Sequence, residues 1–345
     1  RVTVFEAADK PGGMLRYGIP AFRLNDQELD REIGMLKKLG ITFRCGKRFG
    51  RDVTFSTLKK DGYKAFFLGM GAQKGWTLGI EGEDAAGNLA AVDFLRESAD
   101  NPKRKVPENV AVIGGGFTAV DSARTARRLG ARNVYILYRR TRDEMPATSE
   151  EIWEAEQEGI RIMYLVSPEE ILTDNDRVSG IRMTNYTLSY RKDKSGRRQP
   201  VEVAGTDFIL KTDMIISAIG QSVQASDVRT NSNATVRVDG ETLATSVKNV
   251  FAGGDCVRGP SSVISAVADG KRAAVSIDRA LAGKKAFLHY PPEEEEVDRE
   301  AVLERNSHKT RAWPPELRRG APPRRIKDFA DHTKVLTRKQ AIAEA

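Results

Sequence analysis

Cysteine is nearly absent from this chain: two in 345 residues, Cys45 and Cys256, with no Cys-x-x-Cys pair. That supply excludes a disulfide-stapled scaffold and a local redox-active dithiol. It argues against a zinc or iron–sulfur site within these residues and for a reducing compartment, so no metal ligands are expected. Long apolar runs are absent too. No stretch approaches the roughly 20 residues that span a bilayer, and no charged-then-apolar leader opens the sequence, so a cytoplasmic protein without a membrane span is expected. A basic stripe interleaved with aromatics is also missing. The net charge is +8, yet the 56 Lys and Arg are scattered among 48 Asp and Glu. This argues against nucleic acid and for anionic ligands or an acidic protein partner.

What the chain does have is glycine in informative places. Val110–Asp121 reads strand, glycine turn, helix, and Gly114, Gly116 and Ala119 fit the Gly-x-Gly-x-x-Gly/Ala spacing. One glycine serves the tight turn, one the close approach of a pyrophosphate, and the small third residue the packing of helix on strand. Such turns also occur where nothing binds, so the context decides. Val110–Ile113 is unbroken and apolar, as a buried parallel strand requires, Phe117–Leu129 has helical character, and Asn133–Tyr138 supplies the next strand after Gly130. The expected nucleotide site therefore comprises Gly114, Gly115, Gly116, Phe117, Thr118 and Asp121, with phosphate facing the helix N-terminus.

The second strand ends in Arg139 and Arg140 and carries no carboxylate. A ribose 2′-hydroxyl calls for an acid there, whereas guanidiniums suit a 2′-phosphate, so NADP(H) is expected over NAD(H). The bland alternative is a solvated turn.

At the start of the chain, Val2–Glu6 reads as a strand ending in an acid, and Glu6 is placed to accept hydrogen bonds from an adenosine ribose. Then comes Lys10–Pro20, in which Gly12 and Gly13 permit close backbone approach and Arg16 is available for a ligand's phosphates or flavin. With Phe5-Glu6, Pro11-Gly12-Gly13, Leu15, Tyr17-Gly18-Ile19-Pro20 and Phe22-Arg23-Leu24 on the page, the sequence resembles the flavoproteins with two dinucleotide-binding domains, in particular the NADPH-oxidising small subunit of glutamate synthase and related NAD(P)H:ferredoxin-type reductase subunits. The likeness covers roughly residues 1–285.

This resemblance implies an α/β fold of two Rossmann-like domains. The FAD domain is discontinuous, residues 1–101 and 226–285, with an NADP(H) domain at 102–225 inserted and a tail at 286–345. It implies that the Glu6 strand is preceded by a first strand with its own glycine turn; the chain starts after both, so the FAD site is expected to be incomplete. By the same resemblance Gly71 and Ala72 border the FAD adenine side, Ala218 and Gly220 touch the nicotinamide half, and Gly254 and Asp255 meet the FAD pyrophosphate and ribityl chain. Ser262 and Val263 open a long helix, Ser261–Ala282, whose dipole suits charge on the reduced flavin. Cys256 is expected to be a packed small side chain.

The expected activity is hydride transfer between NADPH and FAD, with electrons passing to an iron–sulfur protein or domain outside these residues, or to a large catalytic subunit. Hydride transfer between stacked rings is chiefly positioning, so no catalytic side chain is nominated. Two alternatives remain: a pyridine-nucleotide disulfide reductase, disfavoured without Cys-x-x-Cys, and a non-catalytic nucleotide-binding assembly subunit. Strands are also expected at Ile160–Val166, Val178–Tyr190 and Val201–Leu210, forming a β-meander with a polar turn at Lys192–Gly196. The proline- and charge-rich stretches Pro291–Glu296, Trp313–Pro315 and Pro322–Arg325 read as an extended tail, and Thr337–Ala345 as the start of a helix.

Overall fold

A computed structural model describes residues 1–193, 195–225, 227–285, 300, 304–305, 319–333, 335–339 and 341. The stretches at 291–296 and 313–315, and residues 340 and 342–345 of the expected terminal helix, lie outside them. The chain opens with β1 (Thr3–Phe5), α1 (Met14–Tyr17), α2 (Asp26–Lys38), β2 (Thr42–Arg44), α3 (Phe55–Lys60), β3 (Phe66–Leu68) and β4 (Lys74–Gly75). Helix α2 begins as its sequence directs, with the Asn25 side chain accepting the Gln27 N–H, and it ends before Gly40 at positive φ.

The middle of the chain forms β5 (Asn88–Ala90), α4 (Ala91–Asp100), β6 (Asn109–Ile113), α5 (Phe117–Arg128), β7 (Asn133–Tyr138), α6 (Ser149–Gln157), β8 (Arg161–Tyr164) and β9 (Val166–Asp174). It continues through β10 (Arg177–Lys192), β11 (Arg198–Glu202), β12 (Phe208–Leu210), β13 (Met214–Ser217) and β14 (Gln221–Ser222). Last come β15 (Val250–Ala252), α7 (Asp255–Arg258), α8 (Val263–Ala282) and the short tail helix α9 (Pro322–Arg325).

The centre is a five-stranded parallel sheet in the order β5-β13-β6-β7-β8. Alternation along its strands divides the apolar side chains between two faces. Val110, Val112, Ile136 and Ile216 pack under the helices with Phe94, Ala119, Ala123 and Ile152. Ala111, Ile113, Leu137 and Ile215 face the opposite side and meet Ile171, Val178, Ile181 and Met183 of the antiparallel sheet β9–β12. The near-continuous apolar runs of β6 and β7 follow from this double cover. The middle layer begins ahead of residue 102, because β5 joins the sheet beside β13 and α4 packs on α5.

Two strand readings change. The expected run Ile160–Val166 ends at Tyr164, since Leu165 takes φ 58° and starts a new strand, β9, which pairs with β10. Val201–Leu210 is two strands, because Gly205 at φ 74° and the Thr206 hydroxyl on the Val203 carbonyl turn the chain between them. The Pro322–Arg325 stretch forms a short helix, with proline at the first helical position, where its missing N–H costs nothing.

Around the outer part of the fold, β1 pairs in parallel with β2 and β3 with β15, as two separate ribbons. Apolar side chains on them stay exposed, among them Val2, Val4 and Phe67. The two chain crossings to the central sheet are tied by the antiparallel ribbon β4–β14, and the Trp76 N–H donates to the Gly220 carbonyl at 3.1 Å.

Candidate functional site

The glycine turn after β6 sits between β7 and β13. Gly114 adopts φ 138°, and its N–H donates to the Leu137 carbonyl. A Cβ at Gly114 would lie 2.4 Å from the Ala218 oxygen, and one at Gly115 would lie 2.6 Å from the Tyr138 ring. The turn is thus held from both sides: the Ala218 N–H bonds the Ile113 carbonyl, and the Ala147 N–H bonds the Gly115 carbonyl. Gly116 is different. It is the N-cap of the twelve-residue α5, has ordinary extended geometry (φ −91°), and a Cβ there would meet nothing within 4 Å.

No side chain caps that N-terminus. Exposed Phe117 and half-buried Thr118 open the helix, while Ala119 is fully buried against the sheet. A helix start with open N–H groups over a glycine surface is an anion site, and the donor set fits a nucleotide pyrophosphate.

The remaining expected residues of this half divide into available and engaged side chains. Arg139 is exposed at the end of β7. Arg140 is buried: its Nε donates to the Arg198 carbonyl at 2.8 Å and its Nη2 meets Asp193 Oδ2 at 2.5 Å. Asp121 is also turned inward. Its carboxylate pairs with Arg23 at 2.7 Å, and burial pushes its pKa up to about 6 even though the guanidinium opposes the shift. Arg23 also pairs with Glu151 at 2.5 Å, so the segment after α1 is fastened to α5 and α6. At the far end Gly220 has φ 136° and lies against the Trp76 ring.

On the other side, Gly12 (φ 133°) and Gly13 (φ 51°) lead into α1. A Cβ on Gly13 would meet open space, whereas one on Gly12 would press on Leu29 at 2.9 Å. Half-buried Leu15 follows. Arg16, expected to face a ligand, is buried and spent on the Pro11 carbonyl and the Asp26 and Asp30 carboxylates. Glu6 directly follows β1, with Oε1 accepting the Ala8 N–H at 2.9 Å. After β3, Gly71 at φ 69° precedes fully buried Ala72.

Beside β3, β15 runs into Gly254 (φ 73°) and Asp255. Asp255 accepts the Ser261 N–H at 3.1 Å, and burial raises its pKa. Ser262 caps α8 by accepting the Ser265 N–H, with Val263 half exposed behind it. These glycine turns at positive φ leave backbone open to close approach by a second ligand. Cys256 is buried, its thiol lying 3.2 Å from the Leu68 and Gly253 carbonyls with its pKa raised by burial, so it is a packing residue. Among the described residues no cluster of His, Cys, Asp or Glu could hold a metal, and no helix is long and apolar enough to cross a membrane.

Three residues that shape the site had escaped the sequence reading. Fully buried Asp269 accepts the Gly254 N–H at 2.9 Å and binds Arg258 and Arg272, which fixes the turn before α7. Arg23 joins the two nucleotide regions. Tyr138 lies under Gly115 and donates its hydroxyl to the Glu144 carbonyl at 2.6 Å. Tyr138 carried a signal in its place at the end of the strand after a glycine turn, and Arg23 in the motif Phe22-Arg23-Leu24; Asp269 carried none.

Two sets of glycine turns on one α/β frame, joined by a crossing ribbon, define the layout of a protein with two Rossmann-like units. Residues 7–270 match the family model of the pyridine nucleotide-disulphide oxidoreductases, and the chain belongs to that family. It is 42% identical over 305 residues to the NADP(+)-dependent formate dehydrogenase subunit beta of Moorella thermoacetica, covering 86% of this chain and 42% of that one. With the glutamate synthase [NADPH] small chain of Escherichia coli it shares 34% over 298 residues, 80% of this chain and 63% of the relative. The chain thus spans between 42% and 63% of these two relatives. Mycobacterium tuberculosis FprA in complex with NADPH superposes at TM-score 0.68 with 20% identity, covering 84% of this chain and 80% of that one, a likeness of fold. The expected resemblance to the glutamate synthase small subunit is borne out.

Proposed function

We propose that the chain is the nucleotide-handling part of an FAD-dependent oxidoreductase subunit that passes hydride between NADPH and flavin, with electrons going on to an iron–sulfur protein or domain, or to a large catalytic subunit. The observation that carries this reading is the pairing of an uncapped, glycine-floored helix start at Gly116 with a separate set of glycine turns at Gly12–Gly13, Gly71 and Gly254. Bound NADPH and FAD would supply the hydride donor and acceptor. The chain's residues supply positioning: α5 orients the nicotinamide nucleotide by its pyrophosphate, Ala218 and Gly220 line the way to the ring, and Asp255 with the α8 N-terminus receives the flavin side.

Arg139, exposed where the strand ends, favours a 2′-phosphate and hence NADP(H) over NAD(H). The separate β1–β2 and β3–β15 ribbons, with their exposed apolar side chains, support an FAD layer completed by a further strand and glycine turn outside these residues. The names of the relatives, subunits and small chains, support a partner subunit. Two unpaired cysteines support a reducing, cytoplasmic setting. Within this chain a disulfide reductase has no adjacent thiol pair to work with.

Anaerobic stopped-flow absorbance of the full-length, FAD-loaded protein tests the reading. NADPH should bleach the flavin band; binding of NADPH without bleaching would refute it and leave the assembly-subunit alternative.

A further inference from the structure

The β10–β11 hairpin ends against Arg140, two residues past β7, and the contact is built in detail. Asp193 is the hub. Its Oδ1 accepts the Ser195 N–H at 2.8 Å, the Ser195 hydroxyl at 2.5 Å and the Arg197 N–H at 3.3 Å, which closes the turn over Gly196 at φ 79°. Its Oδ2 receives buried Arg140, whose Nε also holds the Arg198 carbonyl. Between this hairpin and the loop after β7 lies an open cavity of about 570 Å³, lined by Asp143, Glu144 and Met145 on the loop and by Lys192, Arg197 and Arg198 on the hairpin.

The charges in that cavity are not evenly spent. Glu144 is taken by Arg198 at 2.5 Å and by the Thr141 hydroxyl. Among the described residues, Lys192, Arg197 and the neighbouring Arg139 form no ion pair, although most arginines around the central sheet do. Lys192 and Arg197 thus line the cavity without an ion pair, Arg197 donating through Nε to the Ser195 hydroxyl at 2.8 Å, and exposed Arg139 stands one residue before buried Arg140, at the strand end where a nicotinamide nucleotide's adenosine ribose would lie. The buried pair Arg140–Asp193 fixes their placement.

We propose that the 2′-phosphate of NADP(H) is held from two elements, by Arg139 at the end of β7 and by Lys192 and Arg197 of the hairpin, and that Arg140 is a positioning residue that anchors the hairpin through Asp193. The proposal rests on the NADP(H) reading above. It moves half of the dinucleotide specificity from the Rossmann unit onto the antiparallel sheet. Unlike a lone guanidinium on an exposed turn, cations on a fastened hairpin are ordered before the ligand arrives.

Calorimetric titration of the full-length protein with 2′,5′-ADP and 5′-ADP, which differ only in the 2′-phosphate, tests it. The Lys192→Gln, Arg197→Gln double variant should bind 2′,5′-ADP about tenfold or more weakly and 5′-ADP within about twofold of the wild type. Asp193→Asn should lower the ratio of the two affinities in the same direction, a change that general loss of packing would not single out. If the wild type prefers 2′,5′-ADP and Arg139→Gln abolishes that preference while the hairpin double variant keeps it, the hairpin assignment is overturned and the NADP(H) reading stands. An equal loss for both ligands in the double variant also overturns it. No preference in the wild type refutes the NADP(H) reading itself.

Discussion

Gly116→Ala separates what the glycine turn does for folding from what it does for binding. Gly116 has φ −91° and ψ −179°, a conformation any residue adopts, and a Cβ there would touch nothing within 4 Å. Stability should therefore barely move. Alanine is a poorer N-cap than glycine by roughly 0.5–1 kcal/mol, and stiffening the unfolded chain returns about 0.4–1 kcal/mol. The two nearly cancel, and a residue of this size in a chain this long should shift Tm by about 2 °C or less. The methyl group, however, occupies the open space above the helix start where the pyrophosphate must come close. The expected outcome is NADP+ binding weakened by about 30-fold or more, on the order of 2 kcal/mol. Scanning calorimetry gives the first quantity, and titration of NADP+ monitored by calorimetry gives the second. A variant that melts like the wild type and binds NADP+ as tightly would refute the placement of the phosphate at this turn. Gly114→Ala provides the contrast: at φ 138° and with a Cβ 2.4 Å from the Ala218 oxygen, it should lower stability as well as binding.

Other expectations follow from buried charge and from the core. Burial alone would push the Glu158 carboxyl up, but the Arg128 and Arg124 guanidiniums outweigh it and hold its pKa at about 2 against an ordinary 4.5. A depressed carboxylate stabilises the fold above its unfolded pKa, so about 3 kcal/mol should be lost as pH falls from about 4.5 to about 2. Urea titrations across that range should show a steeper acid loss in the wild type than in Glu158→Gln. Asp269→Asn should leave NADP+ binding within about twofold while weakening FAD retention, because the lost carboxylate holds the Gly254 turn; unchanged FAD release in gel filtration would contradict it. Ile136→Ala, in a fully buried side chain on β7, should cost about 2–5 kcal/mol in denaturant melts. A loss below 1 kcal/mol there would mean that the core closes over the cavity.

Much of this protein was legible from local pattern. The run Asn109–Ile113, the glycines after it and the helix Phe117–Arg128 are specified by residues that each act within a turn or two: an unbroken apolar run, φ-permissive glycine, small side chains at the packing face. The Asn25 cap and the Gly40 stop are of the same kind. So are the paired glycine motifs that identified the family, since close approach to phosphate demands glycine wherever the chain goes. The split of Val201–Leu210 into two strands was less legible, because a single Gly205 in an apolar-alternating run reads equally as a bulge.

Tertiary structure decided which charged side chains face a ligand. Arg16, Asp121 and Arg140 carry the right chemistry at the right positions along the chain, yet each is buried against a partner that is remote in sequence: Asp30, Arg23 and Asp193. A buried charge is stable only when another charge or dipole meets it, and that partner comes from whichever element folds over it. The hairpin from the antiparallel sheet takes Arg140 out of play and leaves Arg139 exposed, an outcome set by how two sheets stack. The residue types and their order determined the family and the fold; the packing of separate elements determined which guanidiniums stay exposed and which are buried in ion pairs.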